Sequence, residues 1–152
     1  MRLSSASPAD ERGSASLEFV TAGMILLVPL VYLVLAVAAI QGGALAVEGA
    51  ARQAARVYVQ AATPADARAA LERAVVLGLD DYGLDAGAAG VSVTCAEPSN
   101  GCLTRRNTVS VTVRVRVVLP LVPDVLALRD VVSVPLEARA TQQVSRFWGA
   151  SR

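Results

Sequence analysis

The chain contains no histidine and no lysine. Without imidazole there is no Ser-His-Asp or Cys-His pair, and no histidine to hold a metal. Without an ε-amino group there is no Ser-Lys dyad, no Schiff-base nucleophile and no P-loop lysine. Carboxylate pairs are the acid–base chemistry that remains, but the acidic residues are scattered or stand beside arginine. These gaps point to a non-catalytic protein with no catalytic residue, no metal site and no cofactor. Charge of one sign is also missing. Fourteen basic and thirteen acidic residues leave a net charge of +1, so no global field recruits nucleic acid, and no nucleic-acid partner is expected.

What the chain has in quantity is hydrophobic side chains, 54% of 152 residues. From Phe19 to Val47 no residue is charged, and Phe19 to Ile40 (FVTAGMILLVPLVYLVLAVAAI) is interrupted only by Thr21 and the Tyr32 hydroxyl. As a helix this run spans about 33 Å, enough to cross a bilayer core of about 30 Å. Pro29 would break a soluble helix, but neighbouring helices or local adjustments satisfy the freed carbonyl in a membrane. Outside the tail and this run there are about a hundred residues, enough for one small domain.

Residues 1–13 (MRLSSASPADERG) are polar and Ser-rich, and read as a disordered tail or a leader. The apolar core is longer than that of a secretory signal, and Asp10 and Glu11 offset Arg2 and Arg12. The small residues Ala36-Val37-Ala38-Ala39 are the feature a signal peptidase would use. After Gly42-Gly43 the helical pattern resumes. Glu48, Arg52 and Arg56 form a charged stripe at i, i+4 and i+8. Ala44, Val47, Ala51, Ala54, Ala55 and Tyr58 or Val59 supply the opposite face. One long N-terminal helix follows, expected over 14–62.

Thr63 as N-cap, Pro64 at N1 and Asp66 at N3 open a second helix. Its stripe is expected to run through Ala67, Ala70, Leu71, Ala74, Val75 and Leu77, with Gly78 as the stop. Residues 78–90 read as loop. Asp80, Asp81 and Asp85 lack the ligand spacing and closing Glu of a calcium loop. Strands follow at 91–95, at 108–117 and at about 131–142. In the second, five valines (Val109 to Val117) alternate with Thr108, Ser110, Thr112, Arg114 and Arg116. The third places Val132, Val134, Leu136, Ala138 and Ala140 on one face, and Pro135 makes it an edge strand or a bulge. The expected fold class is α+β: a transmembrane helix continuing into an amphipathic one, a second short helix, and an antiparallel sheet of about three strands. The domain covers 63–145. The tail, 146–152, carries Phe147 and Trp148, which dock on the domain, touch a membrane surface or fray.

Cys95 and Cys102 stand at the two bases of a hairpin around the EPSNG turn. Two cysteines without histidine make a poor zinc site, and the spacing is not CxxC. A disulfide closing this loop fits the geometry and would place the domain in an oxidising compartment; the alternative is two free buried thiols. The disulfide implies a cytoplasmic N-terminus and an outward C-terminal domain. Arginine distribution does not support that orientation, because Arg52 and Arg56 on the outer side balance Arg2 and Arg12 inside.

Glu18 sits at the edge of the apolar run, where an unpaired carboxylate is costly. Either it lies in the headgroup layer or it has a cationic partner. If the chain were cut between Gly13 and Ser14, the new amino group would lie one turn from Glu18 on the same face, in this chain or an adjacent one. Such pairing would set the axial register of bundled helices, since other offsets bury unpaired charge.

Gly13, four residues, Glu18 and Phe19, followed directly by an apolar helix, resemble the processing site of prepilins. RGSASLEF with a short leader, and a helix running on into EGAARQAAR, resemble the TadE-like family of pilin-like proteins of Flp/Tad type IVb (tight adherence) pilus systems. The cysteine hairpin, the long alternating strand and the chain length fit the same family. The resemblance implies that Gly13 precedes the scissile bond, Ser14 becomes the N-terminus, Glu18 is the assembly glutamate and Phe19 the aromatic after it. It also implies membrane lipid, a prepilin peptidase, other pilin-like subunits and the pilus assembly machinery as partners. The leader departs from the pattern, being acidic near the cut. The competing expectation is a generic single-pass membrane protein whose outer domain binds a ligand or a protein, with Glu18 incidental.

Overall fold

A computed structural model describes residues 10–120 and 133–149, with side chains from residue 15 onward. Two long helices, α1 (Asp10–Gln60) and α2 (Pro64–Asp80), precede strands β1 (Gly90–Cys95), β2 (Thr108–Val118) and β3 (Ser133–Gln143). The strands form one antiparallel sheet in the order β1-β2-β3. The α+β architecture expected from the sequence is therefore present. The chain divides into two compact units, one ending at Val37 and one beginning at Ala38.

α1 begins earlier than the expected start at 14, so residues 10–13 of the leader belong to its backbone; residues 1–9 lie outside the described ones. Pro29 is inside the helix. α2 starts as its sequence dictates. Thr63 has extended backbone and its hydroxyl oxygen accepts the Asp66 N–H at 3.1 Å, while the hydroxyl donates to the Asp66 carboxylate at 2.7 Å. Its end differs from expectation. Gly78 does not stop the helix, and a Cβ placed there would meet the Ala50 Cβ at 3.1 Å and its Cα at 3.2 Å. Gly78 is thus a point of close approach between α1 and α2. The buried stripe is Ala67, Leu71, Val75 and Leu79. Steps of four residues slant around the helix, so Leu79 takes the core position and Leu77 is left 66% exposed.

The second unit is built on the valine face of β2. Val109, Val111, Val113, Val115 and Val117 are all buried, as strict alternation requires. Against them α1 brings small side chains: Ala46, Ala50, Ala51, Ala54 and Ala55 are buried with Val47 and Tyr58. Gly43 marks how close this packing is, because a Cβ there would lie 2.5 Å from a Val117 methyl. The packed face enters at Gly43, and Ala44, expected on it, is exposed.

The third strand is an edge strand in continuous register with β2, so Pro135 sits in an edge and not at a bulge. Val132 and the strand's expected first residues lie outside the described ones. Trp148 of the tail docks on the domain: its indole N–H donates to the Ala61 carbonyl at 3.0 Å, and Arg105 donates to the Trp148 carbonyl at 3.0 Å.

Candidate functional site: the start of α1 and the cysteine loop

The structure places Gly13 and Ser14 in the first turns of the α1 backbone, with Glu18 and Phe19 one turn further along. Glu18 is exposed and Phe19 is 80% exposed. Among the described residues the ion pairs are Arg52 with Glu48 and Arg114 with Glu137, so Glu18 has no partner within them. From Leu17 to Val37 the large side chains stand in the open, Leu26 at 72% and Val28 at 65% among them. Leaving a side chain of this size in water forgoes about 1.5–3 kcal/mol relative to burying it. Over a dozen such residues that is tens of kcal/mol, recovered wherever an apolar surrounding covers this surface. The helix is long and apolar enough to cross a membrane.

The second expected site is a disulfide. Cys95, the last residue of β1, is bonded to Cys102, with Cα atoms 5.4 Å apart. Closing so short a loop contributes roughly 2–3 kcal/mol by chain entropy. Asn107, buried at 5% exposure, holds the loop from inside. Its side-chain oxygen accepts the N–H groups of Glu97 (3.2 Å) and Thr108 (2.8 Å), and its amide donates to the carbonyls of Glu97 and Gly101, both at 3.2 Å. Asn107 thereby ties the loop to the start of β2. Sequence reasoning missed it; the signal was an Asn directly preceding a strand, where Asn bonds local backbone.

No family model, curated protein or solved structure matches this chain. The site residues must speak through their own chemistry. Among the described residues no group of three or more His, Cys, Asp or Glu side chains is placed to hold a metal. Of the aspartates near the end of α2, Asp85 serves the backbone. Its carboxylate accepts the Gly87 N–H at 2.8 Å and caps a short 3-10 turn. The two expected sites fall in different units. Gly13–Phe19 lies at the head of the exposed apolar helix, and the cysteine loop closes one end of the sheet.

Proposed function

We propose that the chain is a TadE-like minor pilin or pseudopilin of a Tad-type (type IVb) pilus. A prepilin peptidase cuts between Gly13 and Ser14 at the cytoplasmic face of the membrane. The apolar half of α1 then holds the protein as a single-pass subunit, and the α+β domain lies outside the cytoplasm. Glu18 meets the amino group of Ser14, its own or that of an adjacent subunit, and sets the register of neighbouring helices. The domain caps, primes or contacts other pilus components and performs no chemistry itself.

The observation that carries this reading is the Gly13…Glu18-Phe19 motif at the head of a helix whose large apolar side chains are uncovered from Leu17 onward. A disulfide in the second unit is in keeping with an oxidising compartment.

N-terminal sequencing of the protein isolated from membranes is expected to begin at Ser14. An intact Met1 would sink the reading. Glu18→Ala is then expected to abolish assembly with pilin-like partners while membrane insertion is kept, and unimpaired assembly of that variant would remove the register argument.

A further inference from the structure

The free edge of β3 is a surface that the pilin reading leaves unused. Among the described residues β3 is an outer strand, paired only with β2. Just past its end, the Val144 N–H donates to the Asn107 carbonyl at 2.9 Å, and the Val144 carbonyl accepts the Arg106 N–H at 3.1 Å. In an antiparallel ladder, residues bonded to the neighbour alternate with residues whose N–H and C=O face away. Val144 sets the parity. Gln142, Ala140, Ala138, Leu136 and Val134 bond β2, while Gln143, Thr141, Arg139 and Glu137 turn their backbone groups to the free edge. Pro135 belongs to the outward set, where a missing N–H costs the sheet no bond.

This edge faces a groove. Two adjoining clefts of about 760 and 530 Å³ lie between the end of α1 and β3, and Arg56 and Gln142 line both. Arg52, also lining it, is neutralised by Glu48. Arg56 and Arg139 have no carboxylate partner among the described residues. Phe147 and Trp148 close one end with apolar surface. Among the described residues the groove therefore offers unpaired strand groups on one side, guanidinium groups beside them and an apolar stop.

We propose that this groove takes an extended acidic segment of a partner protein as an added strand on β3. The outward groups of Glu137, Arg139, Thr141 and Gln143 supply backbone hydrogen bonds, and carboxylates of the guest meet Arg56 and Arg139. A second copy is a poor guest: β1, β2 and β3 together carry one carboxylate, Glu137, and Arg114 already engages it. The proposal does not depend on cleavage at Gly13.

The test uses the full chain, disulfide intact, in detergent micelles, titrated with a fluorescein-labelled peptide of alternating Glu and Val. Saturable binding is expected, weakened by about tenfold or more in Arg56→Glu and for the same peptide with Lys in place of Glu. N-methylation of alternate peptide nitrogens, which keeps the charge and removes ladder donors, is expected to weaken it at least as much. Hydrogen exchange at the amides of 137, 139, 141 and 143 slows on binding. Arg56 is exposed, so a circular dichroism spectrum matching that of the parent accompanies its variant. The proposal is overturned by absent binding, by equal affinity of the N-methylated peptide, or by displacement with heparin without amide protection. Self-association that Arg56→Glu dissolves also overturns it, since the occupant would then be a second copy.

Discussion

Along α1, the stretch from Leu17 to Val37 carries Leu, Ile, Val, Met and Phe with their side chains in the open, whereas the stretch from Gly43 to Val59 buries Ala46, Ala50, Ala51, Ala54 and Ala55 together with Gly43. Both are helical, and each carries its charge on exposed side chains, Glu18 in the first and Glu48, Arg52 and Arg56 in the second. They differ in side-chain size and in what covers them. Where the chain supplies its own cover, the valines of β2, the helix must be thin enough to let a sheet approach, and Ala and Gly meet that need. Where the described residues supply none, bulk is an advantage, because large side chains gain most from transfer into an apolar solvent. Hydrophobicity alone therefore does not report burial, and neither does size, since Val47, Tyr58 and Val59 are buried beside the alanines.

The comparison can be broken most sharply in the exposed half. Leu26→Arg puts a charge near the centre of the apolar run and is expected to cost about 2.5–3.5 kcal/mol of insertion, on the order of a hundredfold. A glycosylation-based insertion assay reads this directly, and unchanged insertion would mean that the run does not reside in a bilayer. The next largest effect belongs to the second unit. Cys95→Ser with Cys102→Ser is expected to lower the stability of the domain by roughly 2–3 kcal/mol, read by denaturant unfolding in detergent, and to leave insertion untouched. Loss of both properties together would show that the halves are coupled.

Two glycines of the same helix then sharpen the contrast. Gly43→Ala drives a methyl into Val117 and Leu136 and is expected to cost about 1–3 kcal/mol. Gly23→Ala meets nothing within 4 Å and is expected to leave the thermal midpoint of the domain where it was. Equal destabilisation by the two would contradict the assignment of covered and uncovered halves. The smallest expected effect is at Arg114, whose guanidinium pairs with Glu137 at 2.7 Å on the exposed sheet face. Arg114→Ala is expected to change stability by about 0–1 kcal/mol, and a larger loss would indicate that this face is covered.

Much of this was legible beforehand for a physical reason. The valine alternation of β2, the Thr63-Pro64 helix start and the unbroken apolar run are local patterns, and local backbone geometry converts them into strand, cap and helix without outside help. The cysteine pair was legible because few arrangements suit two cysteines flanking a turn. Gly78 was misread because a glycine in a helical pattern has two meanings, stop or close approach, and only the position of Ala50 separates them. Leu77 and Leu79 exchanged expected roles because the packing angle of α2 on the core selects every fourth residue, and that angle is not encoded in the helix alone.

The sequence by itself determined the helices and strands, their order, the one pairing open to two cysteines and an apolar stretch long enough to cross a membrane, since each rests on residues close together in the chain. Only the tertiary structure decided that β1 and β3 are the outer strands among the described residues, that Trp148 reaches back to Ala61, and that Arg56 stands beside β3. Those facts join residues far apart in sequence, and long-range packing is what brings them together.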